Sequence, residues 1–225
     1  VYITPLGGHL EAYGGPLTVR YNMSKGIFRF GNETGVGSEH RIDGRAYDAE
    51  LQLLLSSDKP TSSDCFIAGY GVAMIVVLFQ KRAFGNPYLE SFVKSTALLW
   101  HKGNSTTLQI PLSFFLPNST TKYYLYLGSL TFPPCTGGIT VIVFSQPVDI
   151  GEDQLKSLRN NLYTYEGSCR HPMAGNLRPV KKLETQVYRS FKFTGVASAS
   201  RRPAPTTTAW TAVLTLTLCG FMLTI

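Results

Sequence analysis

Short segments rich in valine, isoleucine, tyrosine, phenylalanine and threonine recur along most of this chain, and glycine, proline, asparagine and serine separate them. Residues of the first kind favour a pleated, half-buried strand, and those of the second kind favour turns. The segments that fit are residues 51–55, 72–79, 107–110, 122–127, 139–144 and 187–193. This spacing predicts a single, mainly β domain.

One window has the periodicity of a helix, at residues 151–161. Glu152 and Asp153 lie in its first turn, where carboxylates favour a helix N-terminus. Leu155 and Leu158 are three residues apart and fall on one helix face. We therefore expect a few short helices beside a large sheet.

The C-terminal part of the chain divides into two segments that follow a domain at residues 1–195. Residues 196–208 contain small residues and a polar spacer, and residues 209–225 contain no charge and no proline. This order is typical of the signal for glycosylphosphatidylinositol attachment, here at Ser198. The alternative is one transmembrane helix, but residues 209–225 are short for the roughly 20 residues that a spanning helix needs. No Lys or Arg follows them to fix an orientation.

Four asparagines are acceptors for N-linked glycan because Ser or Thr stands two residues later: Asn22, Asn32, Asn104 and Asn118. Glycan addition requires passage through the secretory pathway and an exposed side chain. Together with the anchor signal, the sites predict a glycoprotein on the extracellular face of the plasma membrane, bound through its lipid anchor.

The domain carries an odd number of cysteines for an oxidising compartment: Cys65, Cys135 and Cys169. Either one thiol is free or a partner is missing. The chain opens at Val1 without a charged and apolar leader. Truncation at the N-terminus accounts for both facts. Pairing of Cys65 with Cys169 is one of three single pairings, and the sequence does not choose between them.

The charge balance is modestly basic, with 21 Lys and Arg against 14 Asp and Glu. The basic residues are scattered, which favours an acidic surface as partner and gives no indication of nucleic acid. The paired cations Lys181 and Lys182 are more typical of ordinary solvated surface than of a binding site.

Three parts of the sequence carry a set of specific motifs in a fixed order. They are residues 26–31 (GIFRFG), 37–44 (GSEHRIDG) and 47–52 (YDAELQ), then 128–135 (GSLTFPPC), then 176–179 (NLRP). In order and spacing they resemble the alpha-class carbonic anhydrases across nearly all of residues 14–193. The resemblance implies one large, twisted, mostly antiparallel sheet with a conical active-site cleft.

In that family two histidines at alternate positions of one strand and a third on a neighbouring strand hold a catalytic zinc ion, which activates water. The matching positions here hold Ile27, Arg29 and Gln52. Isoleucine has no donor atom, arginine is a permanent cation, and a lone glutamine amide is a poor zinc ligand. The resemblance therefore implies a zinc-ligand-deficient member without a metal cofactor, and His9, His40, His101 and His171 suggest no replacement cluster.

Some supporting positions of the family are retained. Thr131 and Glu39 match the hydroxyl and carboxylate that orient the zinc-bound hydroxide, and Glu50 matches a carboxylate that hydrogen-bonds a ligand histidine. One interpretation is residual catalysis. The stronger one is a structural role, with Glu39 and Thr131 as a hydrogen-bonded pair and Glu50 paired with Arg29.

Cys135 lies where membrane-bound and secreted relatives place one half of a disulfide. The resemblance puts its partner before Val1, outside this sequence.

The leading hypothesis is a catalytically inactive cell-surface glycoprotein, resembling the glycolipid-anchored members of the family. It would act as a binding or adhesion module for a cell-surface protein or an acidic glycan. The alternative is a zinc-dependent carbonic anhydrase that reversibly hydrates carbon dioxide to bicarbonate at the extracellular membrane surface. A third hypothesis is a truncated product that does not fold alone.

Overall fold

The computed structural model describes residues 1–6, 10–57, 71–99, 103–166, 169–175, 177–182 and 184–191, together with the backbone of 213–215 and 220–224. Ser198, the rest of residues 196–208, Cys65, His9 and His101 lie outside the described residues.

The described residues form mostly strands. In chain order they are β1 Tyr2–Leu6, β2 Glu11–Gly14, β3 Leu17–Phe30, β4 Ala49–Ser57, β5 Val72–Arg82, β6 Ser105–Gln109, β7 Tyr123–Ser129, β8 Gly137–Phe144, β9 Val148–Gly151, β10 Tyr163–Glu166, β11 Cys169–Pro172, β12 Tyr188–Arg189, β13 Val213–Thr215 and β14 Gly220–Thr224. The α-helices are α1 Glu90–Thr96 and α2 Glu152–Asn161, and short 3-10 helices span Pro87–Leu89 and Leu112–Phe115.

Twelve of these strands form one sheet with the main order β12-β7-β8-β5-β4-β3-β1-β14-β6. The pairs β5–β8 and β5–β9 are parallel, and the other strand pairs are antiparallel. β10 and β11 form a separate two-stranded sheet. The predicted fold class, a single mainly β domain with a large, mostly antiparallel sheet and short helices, is confirmed.

The larger apolar core lies on one face of the sheet and is rich in aromatic rings. Phe28 of β3 lies 5.2 Å from Phe79 and 5.0 Å from Phe92, and Phe92 lies 5.2 Å from Phe115, all between ring centroids. All four side chains are fully buried. Aromatic side chains bury large apolar areas and favour tilted contacts at these distances. This core fixes the position of β3.

The predicted helix at residues 151–161 corresponds to α2, Glu152–Asn161. Its two leucines, Leu155 and Leu158, are buried in the larger core as their spacing requires. At its N-terminus the Gln154 side chain accepts a hydrogen bond from the Gly151 backbone N–H at 3.0 Å. Local sequence and tertiary packing therefore agree in this segment.

A smaller cluster covers the other face of the same strands. Ile27 of β3 belongs to it with Leu54, Met74 and Val141, all buried. Because side chains alternate along a strand, Ile27 and Phe28 project to opposite faces. This smaller cluster adjoins the buried polar residues described below.

The backbone of β14 lies between β1 and β6, with five residue pairs on each side. β13 pairs with β2. The predicted division at residues 195 and 208 stays a prediction. Within the described part of the chain, no helix is long and apolar enough to cross a bilayer.

Candidate functional site

The residues at the family's ligand positions lie side by side on two paired strands. β3 and β4 are antiparallel, and their register places Ile27 opposite Gln52 and Arg29 opposite Glu50. Ile27, Gln52 and Glu50 are buried. The sheet therefore brings one apolar, one cationic, one amide and one carboxyl side chain together in a small, largely buried volume.

The Arg29 guanidinium is paired with Glu39, which comes from the loop between β3 and β4. Nε of Arg29 lies 3.2 Å from Oε1 of Glu39, and the two side chains are 12% and 5% exposed. Nη2 of Arg29 also donates to the Thr131 hydroxyl at 3.4 Å. The expected pairing of Arg29 with Glu50 is wrong, because Glu39 neutralises the guanidinium.

Both the nitrogen and the oxygen of the Gln52 amide form hydrogen bonds with neighbouring side chains of this site. Nε2 donates to Oε2 of Glu39 at 2.8 Å and to Oε1 of Glu50 at 2.7 Å. Its Oε1 accepts the hydroxyl hydrogen of Thr131 at 2.7 Å. The single hydroxyl hydrogen of Thr131 therefore goes to Gln52 and not to Glu39, which corrects the expected Glu39–Thr131 pair.

Glu50 is the partner of His40. Its Oε1 lies 2.7 Å from His40 Nδ1, and its Oε2 accepts the His40 backbone N–H at 2.8 Å. Nε2 of His40 lies 2.7 Å from the Tyr126 hydroxyl oxygen. Both polar ends of the imidazole are thus bonded, as buried polar groups require.

Burial and charge act in opposite directions on this pair. Burial disfavours the imidazolium, but the Glu50 carboxylate outweighs it and raises the pKa of His40 above its ordinary value. Burial likewise opposes ionised Glu50, yet His40 outweighs it and holds the pKa of Glu50 below its ordinary value. Burial, with the charges of Glu50 and Glu39, raises the pKa of Tyr126. Each charged form therefore stabilises the other.

Arg178 connects the C-terminal part of the domain to this group. Its backbone N–H donates to Oε1 of Glu39 at 2.9 Å, and its Nη1 donates to the Leu130 carbonyl oxygen at 2.9 Å. The sequence motif at 176–179 included Arg178 but gave it no role. Tyr126 was also missed, because nothing in a strand pattern indicates which tyrosine reaches a histidine 86 positions away.

A cation and two rings lie next to the apolar part of the site. Nζ of Lys25 lies 5.0 Å from the centroid of the Tyr2 ring and 4.8 Å from that of Phe132. Contacts of this kind stabilise an ammonium group over an aromatic face. Ile27 is only 4% exposed and Val141 is fully buried, and both belong to the smaller apolar cluster.

Comparison with known sequences decides the family. The family model for eukaryotic-type carbonic anhydrase matches residues 4–191. The chain belongs to this carbonic anhydrase family. Mitochondrial carbonic anhydrase 5B of Rattus norvegicus is 32% identical over 197 residues, which are 86% of this chain and 62% of the relative. This chain therefore spans less than two thirds of that relative's length.

Two further carbonic anhydrases have similar identity. Carbonic anhydrase 1 of Oryctolagus cuniculus is 32% identical over 180 residues, covering 79% of this chain and 76% of the relative. Carbonic anhydrase 7 of Homo sapiens is 30% identical over 179 residues, covering 79% and 67%. The resemblance inferred from the motifs is thus confirmed at the level of the family.

The four predicted glycan acceptors of this carbonic anhydrase domain differ in exposure. Asn32 and Asn118 are exposed and Asn104 is half-buried. Asn22 is half-buried within β3, between β2 and β4, and its Oδ1 atom is buried. Occupancy of all four stays a prediction, and exposure favours Asn32 and Asn118.

The described cysteines of the domain are both free thiols at the surface. Cys135 is exposed in the turn before β8 with φ of 59°, and Cys169 is exposed on β11. The disulfide between Cys135 and a cysteine before Val1 stays a prediction, as does the pairing of Cys65.

Proposed function

We propose that this member of the family is a catalytically inactive binding or adhesion module. The observation that carries the proposal is the hydrogen-bonded group at the family's metal position. Arg29 and Gln52 are bonded there to Glu39, Glu50 and Thr131 at 2.7 to 3.4 Å. In this group the Arg29 charge is paired with Glu39, and the Gln52 amide is hydrogen-bonded through both its nitrogen and its oxygen.

The residues present do not fit a zinc ion. Ile27 offers no donor atom, and a dication beside Arg29 would meet a permanent positive charge. The Gln52 nitrogen donates to two carboxylates, and its oxygen already accepts from Thr131. Among the described residues, no three His, Cys, Asp or Glu side chains cluster in a way that could hold a metal.

The second candidate is a zinc-dependent carbonic anhydrase that hydrates carbon dioxide. The names of the relatives and the retained residues Glu39, Glu50 and Thr131 favour it. These three residues, however, are bonded to Arg29, His40 and Gln52. We therefore keep hydration as the alternative and the inactive module as the proposal.

Stopped-flow measurement of carbon dioxide hydration tests the choice. The full chain, supplied with equimolar zinc, should give the uncatalysed rate. The control is the variant Ile27→His/Arg29→His/Gln52→His, which restores the imidazole set of the family. Catalysed hydration by the unaltered chain, lost on Thr131→Val, would favour the enzyme.

The proposed location is the extracellular face of the plasma membrane, with a glycolipid anchor at Ser198 and N-linked glycans. The partners proposed are a cell-surface protein or an acidic glycan, with no role for nucleic acid. Treatment of expressing cells with a phosphatidylinositol-specific phospholipase should release the protein into the medium. Protein that stays with the membrane after treatment would contradict the anchor.

Anchor attachment has a consequence for the sheet. Processing at Ser198 removes everything after it, including β14, whose backbone pairs with β1 and β6. Strands that lose a neighbour expose unpaired backbone groups. Amide hydrogens of β1 and β6 should therefore exchange faster in the processed form than in the unprocessed chain, and equal rates would mean that β14 does not protect them.

A further inference from the structure

A groove of about 590 Å³ opens beside the buried group, and its lining includes His40 and Tyr126. One wall is β7, and the other walls are residues 41–43 and residues 179–182. The volume is in the range of pockets that hold ligands. The Arg29 and Gln52 side chains do not line it, but Glu39 and Thr131, which are bonded to them, do, so the groove adjoins the family's metal position.

Three exposed aliphatic side chains line this groove. Leu127 is 53% exposed, Val180 is 57% exposed and Val187 is 40% exposed. Single exposed aliphatic residues are common, but several around one concave surface indicate a contact site. The groove therefore offers apolar contacts to whatever enters it.

Three exposed cations share the lining with these aliphatic residues: Arg41, Lys181 and Lys182. None of the three is in an ion pair within the part of the chain that the structure describes. The acidic residues of the lining are Glu39, which is paired with Arg29, and the exposed Asp43 and Glu184. The basic ones are more numerous: Arg41, Arg178, Lys181, Lys182 and Arg189. Unpaired cations around a groove attract an acidic partner and disfavour a basic one.

The edge of β7 gives the groove a further property. β12 pairs with Tyr124 and Leu125 of β7, and Ser190 after it bonds both backbone groups of Tyr123. In the part of the chain that the structure describes, no strand therefore pairs with residues 126–129 on this side. Further along the edge, the Leu127 carbonyl oxygen accepts the Thr185 hydroxyl at 2.8 Å in place of a strand partner. An incompletely covered edge can pair with an extended polypeptide. A glycan has no such backbone, so this edge favours a peptide.

We propose that this groove docks an extended, acidic segment of a partner protein. Aliphatic side chains of the segment contact Leu127, Val180 and Val187, and its carboxylates lie near the cations Lys181 and Lys182. The proposal rests on the binding role proposed above and names the partner class and the surface.

Selection from a displayed library of random peptides on the full chain tests the proposal. Enriched peptides should alternate Asp or Glu with Val, Ile or Leu. Binding of a synthetic enriched peptide should fall about tenfold or more on Lys181→Glu/Lys182→Glu, because like charges across an interface cost several kcal/mol. The matched control is Lys122→Glu/Lys156→Glu, which changes the charge equally at exposed lysines outside the groove lining and should leave binding unchanged.

A second pair of variants tests the apolar contacts. Val180→Ser should weaken the peptide, and Leu98→Ser, at a residue 58% exposed and outside the lining, should not. Both positions are exposed, so neither change threatens folding.

Four results overturn the proposal. The first two are enriched peptides without acidic residues and equal binding by the groove and control variants. The third is a groove that retains a heparin oligosaccharide but no peptide, and the fourth is self-association that the groove variant abolishes, which would make a second copy the occupant. Hydration activity is measured separately, so failure of the inactive-module proposal is distinguishable from failure of this one.

Discussion

The side chains on the two faces of β3 are buried in different ways. On one face Phe28 packs against Phe79 and Phe92, and no polar partner is required. On the other face the Arg29 side chain, 12% exposed, lies in an ion pair with Glu39 and donates a hydrogen bond to Thr131. Burial of an aromatic ring is favourable without a polar partner, whereas burial of a charge requires an opposite charge or a hydrogen-bond partner beside it.

This contrast means that fewer substitutions should be tolerated on the polar face than on the apolar face. An apolar core accepts other side chains of similar volume at modest cost. Removing one member of a buried ion pair leaves its partner uncompensated. On the apolar face, the free energy of unfolding should therefore depend mainly on side-chain volume. On the polar face, it should depend mainly on charge and hydrogen bonding.

The largest effect should come from the aromatic face. Phe28→Ala removes a fully buried ring and should lower the free energy of unfolding by about 3–5 kcal/mol, measured by denaturant titration. Phe84→Ala, at a residue 88% exposed, is the control and should change it by less than about 0.5 kcal/mol. Equal effects of the two changes would contradict the assignment of this core.

The polar face should respond to charge at constant shape. Glu50→Gln keeps the size of the side chain but turns an amide toward His40 and Gln52, and should cost about 1–3 kcal/mol in the same titration. Glu33→Gln at the exposed surface is the control and should be neutral. If Glu50→Gln also leaves the free energy of unfolding unchanged, the charge of Glu50 does not stabilise the polar face.

The pH dependence sharpens the same comparison. The pKa of His40 is raised, so its contribution is complete below its ordinary value of 6.5 and is lost as pH rises through the raised value. The pKa of Glu50 is lowered, so its contribution is complete above its ordinary value of 4.5 and is lost as pH falls through the lowered value.

The difference in unfolding free energy between the unaltered chain and His40→Gln should therefore be largest between pH 4.5 and 6.5. Denaturant titrations across a pH series measure it. A difference that stays constant with pH would mean that His40 and Glu50 do not titrate as a pair. Phe28→Ala serves as the comparison, because its effect should not follow these two groups.

The smallest effect on stability should come from the groove. Val180→Ser should change the unfolding free energy by less than about 0.5 kcal/mol, because the side chain is 57% exposed. A loss comparable with that of Glu50→Gln would mean that Val180 belongs to the core and not to a docking surface.

The sequence predicted the regular elements best where local pattern and packing agree. Residues 72–79 fall within β5, and the helix at 151–161 differs from α2 by one residue. β3 was not among the strands predicted from residue pattern, because Asn22, Lys25 and Gly26 interrupt its apolar residues. Its strand form depends on pairing with β1, β2 and β4, which no local window contains.

The site was predictable in its members but not in its bonds. The resemblance identified Arg29, Gln52, Glu39, Glu50 and Thr131. The strand register places Arg29 opposite Glu50. However, Glu50 is paired with His40, and Arg29 is paired with Glu39. That exchange depends on the path of the loop between β3 and β4.

Zinc content per chain tests the central claim most directly. Elemental mass spectrometry of the full chain, after dialysis against a weak chelator, should find almost no zinc. The variant Ile27→His/Arg29→His/Gln52→His, treated identically, should retain it if the scaffold still presents the three positions on β3 and β4. About one zinc ion in each unaltered chain would contradict the account and make carbon dioxide hydration the first hypothesis.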